Sequence, residues 1–209
     1  MMSQIIVAQN GNGIALAAEN RAIQLDAKGE EIPYRMDRLL SLTTHAALLT
    51  SGAAEGVGMG SAFKLFIQEE GLTDVQDIYG AALAFLSTEY DRFMTKMCEL
   101  APIDPLHQVS FILAGKTVKD PALPFRLYYL WTKKKLPQLD GDEISFAFSL
   151  PRRMGLEFQL NKICKDKGSL EQLLAKAKEG MERLKEKEEV AYPVEYATIT
   201  MSGYQSVKP

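Results

Sequence analysis

The chain has 209 residues, of which 46% are apolar and 24% charged, and its formal net charge is −3. This length supports one well-buried core, so we expect a single domain over residues 1–209. The slight negative charge argues against a general nucleic-acid or anionic-membrane surface, and we expect neither as a partner. No stretch approaches the roughly 18 uncharged apolar residues of a membrane span, and the N-terminus shows no signal-peptide pattern, which predicts a cytoplasmic protein.

The first predicted element is a β-hairpin. Residues 4–8 and 14–18 are apolar runs too short for helices, and an Asn-Gly-Asn-Gly turn at 10–13 joins them. The second strand ends in Glu19, and Arg21 follows it closely. A carboxylate and a guanidinium directly after a buried strand must be paired, hydrogen-bonded or solvated, because burying an unpaired charge is costly.

The hairpin returns the chain so that Glu19 and Arg21 are expected near Ser3. An N-terminal hydroxyl beside a carboxylate and a cation is a candidate nucleophile, because the α-amino group of the same residue can act as its base. The usual trimming enzyme would retain Met1 before the bulky Met2, whereas a translation start at Met2 would let trimming expose Ser3. The alternative is an ordinary frayed chain start that contains a serine.

A connection, two strands and a helix follow the hairpin. Residues 23–34 are polar and broken by Gly and Pro, so we expect an irregular excursion between strands. Residues 38–42 and 46–50 are predicted to pair. Ser51-Gly52 then opens a helix rich in glycine and alanine, which indicates close approach by a neighbouring backbone or a loose first turn.

A longer amphipathic helix begins at residues 73–76, where Thr-Asp-Val-Gln matches a capping box. Its apolar residues recur at three- and four-residue spacing through Met97, and the proline-containing stretch 101–105 ends it. The second half is predicted to contain strands, a charged loop, two helices and a final strand. These elements are strands 109–114, 125–131 and 143–149, loop 133–141, helices 156–165 and 169–189, and strand 196–201.

This order of elements predicts an α+β fold with two antiparallel sheets and helices outside them. No cofactor or metal is expected. His45 and His107 have no neighbours at metal-ligand spacing, and Cys98 and Cys164 fit no zinc or redox motif. The acidic stretch 140–143 lacks the remaining ligands of a calcium loop, so a turn is predicted there.

Three segments carry a resemblance to a known family. Residues 13–22, 36–45 and 49–55 resemble the N-terminal half of proteasome β subunits and their bacterial relatives, which share the N-terminal-nucleophile (Ntn) hydrolase fold. The likeness extends more weakly to the C-terminus. It implies a four-layer αββα sandwich, with two antiparallel sheets between helix layers, and assembly into a ring-like homo-oligomer that acts on peptide or protein substrates.

The same resemblance implies a set of catalytic residues. Ser3 matches the family's nucleophile and Glu19 its catalytic aspartate. Arg38 matches its catalytic lysine and Gly52 the glycine of its oxyanion hole. Arg21 and Ser51 are expected to be supporting residues. Arg38 cannot act as a base, since a guanidinium keeps its proton below a pH of about 12. It can still lower the pKa of the amine and stabilise an alkoxide.

Each assignment has a structural alternative. Glu19 is equally consistent with an ion pair to a nearby arginine, and Gly52 with a turn glycine that needs a positive φ. Two supporting segments of the family are missing from the sequence. They are a Ser-Gly-Ser-Gly stretch expected near 149–155 and an aspartate and a serine expected around 188–194.

These patterns predict a homo-oligomeric hydrolase that cleaves peptide bonds through an acyl-enzyme on Ser3; the sequence leaves an ATP-dependent unfoldase partner open. One rival is a catalytically inactive, proteasome-like ring or scaffold subunit, and another is a small-molecule amidase. The missing supporting segments favour the scaffold, whereas the ordered presence of Ser3, Glu19 and Gly52 favours the hydrolase.

Overall fold

The computed structural model of the chain describes residues 3–25, 30–98, 108–133, 138–191 and 193–208. Within these ranges the chain forms four α-helices and twelve β-strands in three antiparallel sheets, so the fold is α+β as predicted. The helices are α1 (Glu55–Glu69), α2 (Val75–Cys98), α3 (Met154–Lys165) and α4 (Leu170–Glu186). The strands are β1 (Ile5–Asn10), β2 (Gly13–Glu19), β3 (Arg21–Leu25), β4 (Glu31–Arg35), β5 (Leu39–Thr43), β6 (Ala46–Gly52), β7 (Val109–Lys116), β8 (Phe125–Thr132), β9 (Leu139–Ile144), β10 (Ala147–Leu150), β11 (Val194–Thr200) and β12 (Gly203–Val207).

The first five-stranded sheet contains the predicted N-terminal hairpin. Its strands lie in the order β10-β1-β2-β11-β12. β1 and β2 pair from Ile5 opposite Ala18 to Asn10 opposite Gly13, which confirms the hairpin and its turn. Because β2 is the central strand, its residues are buried along their whole length, and this explains the uninterrupted apolar run before Glu19.

The second five-stranded sheet has the order β5-β6-β7-β8-β9. The predicted pairing of 38–42 with 46–50 is confirmed as β5 and β6. β6 also pairs with β7, and its last residue, Gly52, lies opposite Val109. The end of β6 is therefore fixed against the start of β7.

Neighbouring side chains of β1 enter different cores, because successive residues of a strand point to opposite faces. Ile5 belongs to a buried cluster that also contains Leu49 of the second sheet. Ile6 belongs to a cluster that contains Leu160 of α3 and Leu173 of α4. A third cluster joins α1 and α2 to the second sheet. One buried cluster thus contains residues of both five-stranded sheets, and each of the other two contains residues of one sheet and of two helices.

α1 starts later than predicted and packs closely on the sheet beneath it. The helix begins at Glu55, because Ser51 and Gly52 still belong to β6. A Cβ on Gly56 would lie 2.7 Å from Cγ1 of Val109. This contact explains a glycine in the first turn, but the close neighbour is a side chain and not the backbone that the sequence analysis predicted.

The caps of α2 and α4 show one error and one success of the sequence analysis. In α2 the capping residue is Asp74 rather than Thr73, because Asp74 Oδ1 accepts a hydrogen bond from Gln76 N at 2.9 Å. In α4 the predicted start is confirmed by a capping box between Ser169 and Gln172. Side-chain caps of this kind satisfy backbone N–H groups that a helix start leaves unpaired.

The predicted irregular excursion at residues 23–34 is wrong. This region contains most of the third sheet, a hairpin in which β3 and β4 pair from Arg21 opposite Arg35 to Leu25 opposite Glu31. Pro33 lies within β4. A proline is tolerated there because each strand of a two-stranded sheet has a free edge, where a missing N–H breaks no ladder bond.

The predicted strand 143–149 is two strands in different sheets. β9 ends at Ile144 in the second sheet, and β10 starts at Ala147 in the first. Gln9 of β1 holds this link, since its Nε2 donates hydrogen bonds of 3.0 Å to the carbonyl oxygens of Ile144 and Ser145. The structure also places the end of the predicted loop 133–141 in β9 and adds β12, which the sequence analysis missed.

Some expectations fall outside the described ranges, among them the helix end at 101–105 and the surroundings of His107. In the part of the chain that the structure describes, no helix combines the length and the apolar character needed to cross a bilayer.

Leu16 of β2 is fully buried in the core that the two five-stranded sheets share. We predict that Leu16→Ala lowers the free energy of unfolding by about 2–5 kcal/mol, because it removes buried apolar surface and leaves a cavity. Leu65→Ala on α1, where the side chain is 61% exposed, is the matched control and should change it by less than about 0.5 kcal/mol. Urea denaturation followed by circular dichroism measures both, and equal effects would contradict a shared core.

Candidate functional site

Glu19 lies at the end of β2, fully buried, and its carboxylate bonds to two distant backbone segments. Oε2 accepts a hydrogen bond from Gln4 N at 3.1 Å, and Oε1 accepts one from Ala191 N at 3.0 Å. Bonds from N–H groups to a carboxylate are charge-assisted and offset part of the cost of burying the charge. Glu19 therefore fixes the residue that follows Ser3.

Arg38 is the largest buried polar side chain of the site and is 2% exposed. Its Nε donates to the carbonyl oxygen of Arg21 at 2.6 Å, and its Nη2 donates to the carbonyl oxygen of Gly52 at 3.1 Å. Its Nη1 has no hydrogen-bond partner within the described residues. Burial lowers the pKa of Arg38, and the nearby Tyr34 and Glu19 oppose that shift.

Ser3 is 2% exposed, and its two polar groups differ in their bonding. Its carbonyl oxygen accepts a hydrogen bond from Ser51 Oγ at 3.3 Å. Its own Oγ has no partner among the residues that the structure describes. An unsatisfied buried hydroxyl costs about 1–3 kcal/mol, so such a group calls for an explanation such as a reactive role.

Gly52 ends β6 with φ of +90°, a conformation that favours glycine. A Cβ at this position would lie 2.1 Å from the carbonyl oxygen of Gln108. The interpretation of Gly52 as a glycine required by backbone geometry is therefore confirmed. Its role in an oxyanion hole concerns its N–H group and remains a prediction.

Asn20 is a site residue that the sequence analysis missed. It is fully buried, and its Oδ1 accepts a hydrogen bond from Arg38 N at 3.2 Å. Its Nδ2 donates to Asp37 Oδ1 at 3.2 Å. Asn20 thus ties the end of β2 to the start of β5. The only signal in the sequence was its position, because Asn20 is a polar residue between the charged Glu19 and Arg21.

Gln4 is a second missed residue, and it contacts the segment after β10. Its Nε2 donates to the carbonyl oxygen of Pro151 at 3.2 Å, and its Oε1 accepts from Arg153 Nε at 3.1 Å. The stretch 149–155, which has no Ser-Gly-Ser-Gly pattern, therefore lies against the residue next to Ser3.

Glu157 of α3 fixes this segment. Its Oε1 accepts hydrogen bonds from the Ser149 hydroxyl at 2.6 Å and from Arg152 Nε at 2.8 Å. Its Oε2 accepts from Arg152 Nη2 at 2.5 Å. Burial raises the pKa of Glu157, but the bonds from Arg152 and Ser149 outweigh this effect and hold the pKa below its ordinary value.

Hydrogen bonds place the six predicted site residues in three groups, which are linked where Ser51 precedes Gly52 and where Ser3 precedes Gln4. Ser51 bonds to Ser3 and precedes Gly52, whose carbonyl oxygen binds Arg38. Arg38 in turn binds the backbone of Arg21. Glu19 enters through Gln4, the neighbour of Ser3. The six, grouped by direct contact, are Ser3 with Ser51, Arg38 with Arg21 and Gly52, and Glu19.

Other reactive groups lie apart from this network. The ring of His45 is 3.3 Å from the carbonyl oxygen of Met201. Cys164 is a free and buried thiol, and burial raises its pKa to about 11, which suppresses its reactivity. The described ranges contain no group of three or more His, Cys, Asp and Glu side chains that could hold a metal ion.

Comparison with known proteins adds no assignment, since no protein-family model matches the chain and no curated protein resembles it significantly. The case for a function therefore depends on the geometry of the site.

Gly52 and Gly58 form a matched pair of glycines. At Gly52 a Cβ would clash with Gln108 and meet an unfavourable φ, whereas at Gly58, inside α1, it would meet nothing within 4 Å. We predict that Gly52→Ala lowers the melting temperature and that Gly58→Ala raises stability by up to about 1 kcal/mol through helix propensity. Differential scanning calorimetry measures both, and a neutral Gly52→Ala would contradict the geometry described.

The Glu157 network predicts a pH-dependent stability. Since the folded-state pKa lies below the unfolded-state pKa, the ionised carboxylate stabilises the fold above the unfolded pKa, and this contribution is lost as the pH falls through the folded pKa. Glu157→Gln should therefore destabilise the protein at pH 7, and its difference from wild type should shrink below roughly pH 4. Unfolding across pH, with the exposed Glu186→Gln as control, tests this; a difference independent of pH would refute it.

Proposed function

We propose that the protein is a proteasome-like Ntn hydrolase that cleaves peptide bonds through an acyl-enzyme on Ser3. The observation that carries this proposal is the buried Ser3 hydroxyl, which lacks a hydrogen-bond partner within the described residues although it lies in a network of polar groups. Buried polar groups that stay unsatisfied are concentrated at functional sites. Glu19, Arg38 and Gly52 occupy that same network.

The proposal includes the fold of the family, a four-layer αββα sandwich. Three buried clusters support it: one shared by the two five-stranded sheets, one between the first sheet and α3 and α4, and one between the second sheet and α1 and α2. In such an arrangement the N-terminal hairpin belongs to an inner layer, and its first residue reaches the edge of the shared core.

In the proposed reaction the neutral α-amine of Ser3 takes the proton of its own hydroxyl. Oγ forms a bond to the carbonyl carbon of the scissile peptide, and the carbonyl oxygen becomes an oxyanion that the Gly52 N–H stabilises. The protonated amine then returns the proton to the departing peptide nitrogen as the carbon–nitrogen bond breaks. Water hydrolyses the resulting ester on Ser3 with the amine again as base, which restores the enzyme.

Arg38 and Glu19 set the electrostatics of this reaction. A fixed cation near the amine disfavours its protonated form and favours a developing alkoxide, so Arg38 supports both the base and the nucleophile. Two backbone carbonyl oxygens accept hydrogen bonds from Nε and Nη2 of Arg38. Nη1 of Arg38 has no partner within the described residues, so it can act on the amine and the alkoxide of Ser3. Glu19 orients the backbone next to the nucleophile through Gln4 N.

The chemistry requires a free amine on Ser3, so Met1 and Met2 must be removed. We expect protein translated from Met2 to carry Ser3 at its N-terminus after trimming, and protein translated from Met1 to retain the methionine. Intact-mass spectrometry distinguishes the two forms, and a methionine retained in both would contradict the proposed nucleophile.

The direct test uses a peptide epoxyketone, which is captured by a residue that carries both a hydroxyl and a free amine. We predict one adduct per chain on Ser3 in protein with a verified Ser3 terminus. Ser3→Ala should abolish the adduct, Ser3→Thr should keep it, and the exposed Ser206→Ala should not affect it. Mass spectrometry of the labelled protein measures the yield, and an unlabelled wild type would refute the hydrolase.

A catalytically silent ring or scaffold subunit is the second candidate. The burial of Ser3 and the engagement of the Glu19 carboxylate by two backbone N–H groups favour it, because both are also expected of a purely structural cluster. An unlabelled Ser3 terminus is the result expected of the scaffold. A small-molecule amidase would label but would leave a peptide library uncleaved.

The proposal extends to a cytoplasmic homo-oligomer. Cys164 is a free thiol, as is usual in a reducing compartment. Met154 and Phe158 lie one turn apart on α3 and are 79% and 71% exposed, which suits a face that another subunit covers. Light scattering after size-exclusion chromatography tests the assembly, and a monomer at high concentration would contradict it.

A further inference from the structure

We propose that Arg153 is a positioning residue for the nucleophile, because it fixes Gln4 and, through Glu189, the segment that holds Glu19. We call these residues together with Ala191 the Gln4 clamp. The inference rests on the proposed hydrolase function. It assigns the positioning to individual residues that the sequence analysis did not name.

The first arm of the Gln4 clamp acts on the side chain of Gln4. Arg153 Nε donates to Gln4 Oε1 at 3.1 Å, and Gln4 Nε2 donates to the carbonyl oxygens of Pro151 at 3.2 Å and Ile5 at 3.1 Å. Gln4 is 2% exposed, so its end of these bonds is shielded from water, while the Arg153 side chain is 32% exposed. The amide of Gln4 is therefore engaged through both its oxygen and its nitrogen.

The second arm acts on the backbone of Gln4. Arg153 forms an ion pair with Glu189, and both side chains are 32% exposed. Two residues further along the chain, Ala191 N donates to Glu19 Oε1 at 3.0 Å, and Glu19 Oε2 accepts from Gln4 N at 3.1 Å. The contacts form a closed circuit that runs from the Gln4 side chain through Arg153, Glu189 and Glu19 back to the Gln4 backbone.

The base of the Gln4 clamp is itself rigid. Arg153 N donates to Ser149 Oγ at 2.7 Å, and that hydroxyl donates to the buried Glu157 at 2.6 Å. The carboxylate of Glu157 also binds Arg152. The backbone of Arg153 is thus held by Glu157 of α3 through Ser149. Because this backbone is held, the guanidinium of Arg153 can fix the position of the Gln4 side chain.

The Gln4 clamp lies where the resemblance places the segments that support the nucleophile. The two supporting segments that this chain lacks fall near 149–155 and 188–194, and Arg153 and Glu189 lie in those stretches. An arginine–glutamate ion pair lies there instead, and its arginine bonds to the side chain of Gln4. Since a misplacement of about 1 Å can cost a reaction on the order of 100-fold in rate, a fixed Gln4 matters directly for the adjacent Ser3.

The test measures the labelling of Ser3 by the epoxyketone as two constants, the limiting rate of inactivation and the concentration for half-maximal rate. Arg153→Gln should lower the limiting rate by roughly 10- to 100-fold and leave the half-maximal concentration within about twofold. Arg153→Lys should recover part of the rate, because an ammonium can reach one of the two partners. Arg183→Gln removes another ion pair of the same helix layer, with Glu179, and should label as wild type does.

Two further measurements keep the inference falsifiable. In the Gln4→Met, Arg153→Gln double variant, the rate should fall no further than in the slower single variant, since both changes open the same circuit. Hydrogen exchange of the N-terminal peptide should be faster in Arg153→Gln than in Arg183→Gln.

The outcomes separate this inference from the proposed function. A labelled wild type with an equally fast Arg153→Gln overturns the inference and leaves the hydrolase intact. A wild type with a verified Ser3 terminus that does not label overturns the hydrolase and the catalytic role of Arg153 together. In that case faster exchange in Arg153→Gln would still show that Arg153 holds Gln4 in the folded protein.

Discussion

The burial of the Glu19 carboxylate is the constraint on which the site depends. A charge placed at the end of a central strand must find donors, and Glu19 finds them on Gln4 and on Ala191, 15 and 172 positions away in the chain. The same requirement shapes Arg38, whose guanidinium is held by carbonyl oxygens of Arg21 and Gly52. Glu19 thus connects the end of β2 to Gln4 and to the segment before β11. Arg38 connects Arg21, the first residue of β3, to the end of β6.

Much of the fold could be predicted because its signals are local. The Asn-Gly turn and the helical periodicity of α2 each act within a few residues and are confirmed, as is the predicted start of α4 at Ser169. The failures have equally physical causes. Pro33 was interpreted as a strand breaker, although it lies in an edge strand. The β-type pattern of residues 143–149 is continuous, so it gave no sign that the chain passes from one sheet to another, where the distant Gln9 binds the link.

The sequence analysis named six residues of the candidate site but not Asn20 or Gln4, which the structure adds. Ser3, Glu19 and Arg38 are chemically conspicuous, and the structure places them in one network. Asn20 and Gln4 carry no charge, and their partners are backbone and side-chain groups remote in sequence. A backbone donor such as Ala191 N has no side-chain signature at all, so only a folded structure can reveal it.

The short link between β9 and β10 has a mechanical consequence. Only residues 145 and 146 separate strands that belong to different sheets, and Gln9 Nε2 of β1 donates hydrogen bonds to the carbonyl oxygens of Ile144 and Ser145. So short a tether leaves no slack for one sheet to slide over the other without breaking strand register. The adjoining ends of β9 and β10 must therefore stay close together, so this link couples the two sheets at one corner of the fold.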